Sequence, residues 1–216
     1  MPEIAALKYL PVLVAALATT AKLSAMVVAC GLALGVTLTA AAHLGGKAVA
    51  LAIGAVGYVV RGMPLLVFVF GVYFALPPSF TFDTKMLAAV VAMSVYMAAF
   101  VFEIFRGAIA GVPRGLTDAA SAIGMTPRLA FRRMVLPVAL RMTVAPIVNR
   151  TVMSIKGTSL ASAIGVWELS LAGREIIQRD LQPFQVLGMI ALFYFVICWA
   201  VALAGAAVER RVSFEH

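Results

Sequence analysis

The sequence predicts an all-α membrane protein of about five transmembrane helices, with its N-terminus outside, its C-terminus in the cytoplasm and short cytoplasmic helices between two spans. Three observations predict it. Mean hydropathy is +1.05. Only 12% of the 216 residues are charged, about half the share of a soluble domain. Apolar runs near 20 residues recur, the length of a membrane helix, and no alternating ten-residue strands suggest a barrel. One domain over residues 1–216 follows from the length.

The elements follow in order. Residues 23–42 are 20 uncharged residues and form a first span, with Lys22 at its edge. The apolar stretch from Pro11 to Thr20 is too short to span and reads as an interfacial helix. The run 48–76 is broken by Arg61-Gly-Met-Pro64. Neither part spans alone, so it reads as one long helix, tilted or kinked at Pro64, ended by Leu76-Pro-Pro-Ser79. A third span covers about 85–106, a fourth about 135–155 and a fifth 186–208. Residues 157–184 read as a mixed polar loop. No basic n-region precedes the first apolar run, so that run is expected to remain as an anchor.

Charge sets orientation. From Arg106 to Arg133 there are five Arg against one acid, Asp118. The loop 157–184 carries Arg174 and Arg179 against Glu168, Glu175 and Asp180. Arg-rich short loops stay inside, which places 107–134 in the cytoplasm. The same rule accounts for the net charge of +8 without nucleic acid. Cys30 and Cys198 lie inside apolar runs, so neither a disulfide nor a metal pair is expected.

The cytoplasmic stretch, DAASAIGMTPRLAFRRMVLP from 118 to 137, splits into two short helices. Thr117 reads as the cap of the first, with Asp118 at its positive end. Gly124 is a natural C-terminal stop. Thr126 and Pro127 read as cap and first residue of the second. Pro137 interrupts the run into the fourth span. A helix of about six residues needs a surface to pack on. Its alanines suit a groove in another protein; the competing reading rests it on lipid, with Arg128, Arg132 and Arg133 at anionic headgroups.

The spacing Asp118-Ala-Ala-x3-Gly124-x9-Met134-x-Leu136-Pro137 resembles the EAA signature of bacterial ABC importer permeases, with Asp for Glu and Met for Ile. Three further elements resemble the polar amino-acid branch. Arg61-Gly-Met-Pro-Leu-Leu66 is similar to RGTPLL, and Glu103 to Ile109 to EIFRGGI. Lys156-Gly-Thr-Ser-Leu through Glu168-Leu169 is similar to KDTSLxSxIGxxEL, with Gly157 in place of an acid or amide. The likeness covers about residues 10 to 211.

It implies a permease subunit of an ATP-driven amino-acid importer in the bacterial inner membrane. Asp118, Ala119, Ala120, Gly124, Met125 and Arg128 would couple to an ATPase subunit dimer, with Leu136 and Pro137 architectural. A second permease subunit and an extracytoplasmic amino-acid-binding protein complete the assembly; Gly157, where relatives place a polar side chain, suggests that the second permease is a homologous, different chain. No GxxxxGK[ST] pattern is present, so ATP and Mg belong to the partner ATPase and this chain carries no cofactor and no catalytic or metal site.

Intramembrane polar groups mark function. Arg141, Asn149 and Lys156 fall along one face of the fourth span with Ala145 and Val152, and Arg150 borders it. Arg141 either snorkels to the cytoplasmic interface or joins that face towards the pathway or a partner permease. Lys156, Gly157, Thr158 and Ser159 either line the substrate route or mark a helix end. Glu103 either pairs with Arg106 one turn on or meets the substrate's ammonium group. Arg61 beside Pro64 either bonds carbonyls freed by the bend or binds substrate. Two other functions compete: an ion-gradient-driven secondary transporter using Glu103 as proton site, and an intramembrane enzyme. The second has no nucleophile–base cluster, and His43 reads as a loop residue.

Overall fold

A computed structural model describes residues 3–77 and 84–212, with side chains from Lys8 onward. Nine α-helices run through these residues: α1 (Glu3–Leu44), α2 (Gly46–Gly62), α3 (Leu65–Ala75), α4 (Thr84–Ala110), α5 (Arg114–Ala122), α6 (Pro127–Ala130), α7 (Leu136–Gly157), α8 (Leu169–Asp180) and α9 (Pro183–Val212). A π-helical turn, Phe131–Val135, joins α6 to α7, and a 3-10 helix, Thr158–Ile164, follows α7.

Three helices are long and apolar enough to cross a membrane: Lys8–Leu44 of α1, α4 and α9. The pair α2 and α3 is a fourth candidate, bent by 106°. The expected fourth span, about 135–155, is present as the helix α7 but is not among these candidates. Arg141, Asn149, Arg150 and Lys156 keep it below the apolarity of the others.

The separate interfacial helix before residue 23 does not exist. Its residues continue α1, which at 42 residues is about 63 Å long. Pro11 lies inside it, and packing overrides the lost hydrogen bond. Tyr9 and Leu13 are buried with Leu169, Ile176, Val186 and Ile190 of α8 and α9, so this segment leans on protein. Its Tyr9 hydroxyl donates to Asp180, and Lys8 lies 3.7 Å from the same carboxylate.

Helix α4 is the central column. Small residues allow this: Ala88, Ala89, Ala92, Ala98 and Ala99 are buried, and neighbouring helices approach closely. Gly31 and Gly35 of α1 sit against Met97 and Val101; a Cβ at Gly35 would lie 2.5 Å from the Val101 Cβ. Leu23, Val27, Val69, Met97, Val101 and Ile164 fill the main core. A smaller cluster, Ala108, Val112, Val135 and Ala139, fixes the end of α4 to the start of α7 and takes in Leu116 and Phe131.

The kink at Pro64 is a break. Pro64 precedes the first turn of α3 with ψ 133°, and Met63 is extended with ψ 143°. Proline biases the residue before it away from the helical region, so the chain turns there. Pro77 is the last residue described on the far side; Pro78 and Ser79 of the expected stop lie outside the described residues.

The region 157–184 is helical, not a loop. Its hydroxyls are spent on the backbone: Thr158 donates to Ile155 O at 2.7 Å, Ser159 to Lys156 O at 2.9 Å and Ser162 to Ser159 O at 2.6 Å. Each is an i to i−3 bond, matching the 3-10 path. Gly165 then turns with φ +81°, which a glycine adopts without steric cost. Pro137 does not interrupt the fourth span. Leu136 N–H bonds Phe131 O in the π turn, and this wider turn lies just before the ring, where the carbonyl of Arg133 loses its usual partner.

Candidate functional site: a docking helix and a broken-helix pathway

The docking side is built by α5, Gly124 and α6. Helix α5 starts at Arg114, after Pro113, and not at a Thr117 cap. The Thr117 hydroxyl instead donates to Arg114 O at 2.6 Å inside the helix, and Asp118 lies beyond the first turn. Burying Leu116 against the cluster at the end of α4 requires those upstream residues to be helical. Gly124 closes α5 with φ +78°. Its N–H bonds Ser121 O at 3.0 Å, and Met125 N–H bonds Ala120 O at 3.0 Å, the double closure that a left-handed glycine permits. Thr126 is extended and Pro127 opens α6.

Asp118, Ala119, Gly124 and Arg128 face out, and Met125 is half-buried. Ala120 faces in and is 1% exposed, so it supports the surface from below. Ile123, 73% exposed, is an apolar knob on that surface that the motif alone did not single out; an apolar residue directly before a helix-stopping glycine was its signal. His43 is in the last turn of α1, not in a loop, and stacks on Phe131 with ring centroids 4.3 Å apart. A cavity of about 240 Å³ opens beside this stack, lined in part by Phe105, Ile109, Leu136 and Leu140.

The pathway side centres on the α2–α3 break. Arg61 Nε donates to Gly57 O at 3.2 Å, a carbonyl of its own helix. Its Nη2 also lies 3.2 Å from Glu103 Oε2. Glu103 receives Arg106 as well, through Nε at 3.1 Å and through Nη2. One carboxylate therefore ties α2 to α4 and braces its own helix. Tyr96 donates to Met63 O at 3.4 Å at the break. Pro64 leaves the first turn of α3 without a side-chain cap.

Arg141, Asn149 and Lys156 are exposed along one face of α7, as is Ala145. Gly157 abuts Leu65 of α3, where a Cβ would lie 3.3 Å from Leu65 Cδ2. Thr158 is fully buried and Ser159 bonds its own helix, so the chain tightens past Gly157 rather than unwinding. Glu103 keeps company with Arg61 and Arg106, apart from the Lys156–Ser159 corner.

Glu168 is fully buried. It caps α8 by accepting Ser170 N–H at 2.8 Å and Leu171 N–H at 3.0 Å through Oε1. Its Oε2 accepts the Tyr194 hydroxyl at 2.9 Å and the Thr20 hydroxyl at 3.5 Å, and Leu169 N–H bonds Thr20 Oγ1 at 3.0 Å. Burial pushes its carboxyl above the usual glutamate range, opposed by those hydrogen bonds. Sequence reading used Glu168 only in a motif and in the loop's charge count; partners 148 and 26 residues away leave no local signal.

A chain of membrane-crossing helices with a broken pair beside its central column, and a short exposed helix held at the end of that column, has the architecture of a transport-path subunit. Residues 31–214 match the family of binding-protein-dependent transport system inner membrane components, and the chain belongs to it. It is 36% identical over 158 residues to the glutamine transport system permease protein GlnP of Escherichia coli K12, covering 72% of each chain. It is 37% identical over 155 residues to the L-cystine transport system permease protein TcyB of Bacillus subtilis, covering 71% of this chain and 66% of that one. A crystal structure of an amino acid ABC transporter with histidines superposes with a TM-score of 0.86 at 27% identity, over 96% of this chain and 97% of that one.

Proposed function

We infer that this chain is the transmembrane permease subunit of an ATP-driven amino-acid importer of the bacterial inner membrane, forming half of the translocation path. The observation that carries the coupling is the outward face of α5 and its glycine stop, Asp118, Ala119, Ile123 and Gly124, held at the junction of α4 and α7 by Leu116, with Ala120 buried behind it. ATP and Mg are used in a separate ATPase subunit dimer that grips this face. Closing that dimer moves α5, and α4 and α7 carry the motion to the α2–α3 break. A ligand shifts such an equilibrium only through contacts that differ between its two states, and α5 is where those contacts change. Among the described residues nothing favours an ion-gradient mechanism; its proton site, Glu103, is held by two guanidinium groups.

The Arg-rich segment 106–133 lies in the cytoplasm, which puts the N-terminus outside and the C-terminus inside. An extracytoplasmic binding protein delivers the amino acid. The second permease is a homologous, different chain that supplies the polar group absent at Gly157. Asn149, Lys156, Gly157 and Ser159 line the path, with the buried Thr158 behind them. Proteoliposomes holding the assembled complex test this: amino-acid uptake requires ATP and survives collapse of the proton gradient. Uptake driven by the gradient without ATP would overturn the reading, and an intact complex containing two copies of this permease would overturn the heteromeric pairing.

A further inference from the structure

Arg150 lies on α7, the helix that occupies the expected fourth span. Its guanidinium carbon is 3.9 Å from the Phe100 ring centroid and 5.3 Å from that of Tyr96. Its Nε is buried without a hydrogen-bond partner. Among the described residues no carboxylate lies within ion-pair range of it; Glu103, the acid in the neighbouring network, is taken by Arg61 and Arg106. One turn further along the same face, the Ser154 hydroxyl is also buried and unpartnered. Gly157 continues that face to Leu65, and Tyr96 carries the contact to the break at Met63.

Aromatic faces hold a guanidinium in place but do not neutralise it. A cation kept inside a membrane protein without a counter-charge is costly, and such groups serve what passes. The planar fork of an arginine, laid on a ring, leaves its edge N–H groups free, and that edge matches a carboxylate with two parallel hydrogen bonds. Two buried donors without partners, Arg150 Nε and Ser154 Oγ, stand in line beside a side-chain-free position and offer hydrogen bonds to an acceptor.

We propose that Arg150, set over the rings of Phe100 and Tyr96 beside the Met63–Pro64 break, is the residue through which this permease recognises a carboxylate of the amino acid it carries. The inference rests on the importer reading above and names the chemistry of its path. The carboxylate is either the α-carboxylate common to all amino acids or that of an acidic side chain.

The test uses the complete complex in proteoliposomes, with the twenty proteinogenic L-amino acids offered singly as radiolabelled compounds. Cargo carried by the wild-type complex is then measured with Arg150→Gln and Arg150→Lys at saturating cargo and binding protein. Loss of a charge-assisted fork lowers uptake about 10- to 100-fold in Arg150→Gln, with ATP hydrolysis stimulated by the binding protein unchanged, and Arg150→Lys restores part of the uptake. The α-amide of the cargo then separates the sources: failure to compete on the wild type assigns the α-carboxylate, and full competition assigns the side chain. Unchanged uptake in Arg150→Gln overturns the proposal. So does a joint fall of uptake and hydrolysis, or dissociation of the complex, since either makes Arg150 a structural contact or the partner of an acid on another subunit. No ATP-driven uptake of any amino acid by the wild type would instead overturn the importer reading, and this proposal with it.

Discussion

The imidazole of His43 lies nearly parallel to the ring of Phe131, 18° between planes and 4.3 Å between centroids. It joins the last turn of α1 to the turn that connects the docking helices to α7. The end of α1 thus meets the π turn at this aromatic pair, and Leu116 of α5 packs on the same cluster as Phe131, a route by which motion of α5 is expected to reach α1.

Replacing His43 with Ala removes this stack, worth about 0.5–1.5 kcal/mol. The complex still assembles and still hydrolyses ATP. The expected loss is in amino acid moved per ATP consumed, read by measuring uptake and phosphate release in the same vesicles. An unchanged ratio would mean that α1 moves independently of the docking segment.

Glu103 serves two cations, so the three members of that network are not equivalent. Glu103→Gln leaves Arg61 and Arg106 both unanswered and is expected to cost about 1–3 kcal/mol in stability. Arg61→Gln costs less, because Glu103 keeps Arg106. Arg106→Gln costs least, since its side chain is 61% exposed and solvent screens it. Thermal unfolding in detergent gives the order, and a reversed order would break the assignment of Glu103 as the shared anchor.

The coupling helix separates docking from folding at adjacent positions. Ala119→Arg places a bulky charge on the outer face and is expected to abolish ATPase binding while the permease keeps its thermal stability. Ala120→Arg forces a charge into a buried site and lowers stability as well. Gly124→Val puts a β-branched residue at φ +78°, where left-handed backbone costs about 1–2 kcal/mol, and loosens both ends of the surface. Pull-down of the ATPase with parallel melting curves distinguishes the three.

Much of this arrangement was legible in residue order, for local reasons. Gly124 and Thr126-Pro127 mark a stop and a start because their backbone preferences act within one turn. The spans were legible because bilayer thickness fixes their length. The burial of Ala120 was not legible because a motif gives no face: which side of α5 points inward depends on Leu116 packing on the cluster between the end of α4 and the start of α7. The run from Pro11 to Thr20 looked too short to span because its stability comes from α8 and α9, more than 140 residues away. The Gly31-x3-Gly35 spacing was a usable sign of close packing, but nothing in it named Met97 and Val101 as the partners.

The last prediction concerns Glu168, whose burial raises its carboxyl from the ordinary 4.5 against the pull of its hydrogen bonds. The folded chain therefore holds this proton at pH values where the unfolded chain has released it. Stability from this group is full below the ordinary value. It falls as pH rises through the window between that value and the raised one, because the unfolded state binds fewer protons there. Glu168→Gln keeps an acceptor for Ser170 and Leu171 N–H and has no proton to lose, so it removes the slope. Glu168→Ala leaves the Tyr194 hydroxyl buried and α8 uncapped, a loss of about 2–4 kcal/mol. Melting temperature in detergent, measured from pH 4 to 8 for wild type and Glu168→Gln, gives the comparison, with the wild type losing ground to the variant as pH rises. A wild type that gains on Glu168→Gln with rising pH would show that the hydrogen bonds outweigh burial and that the carboxylate stays ionised in the fold.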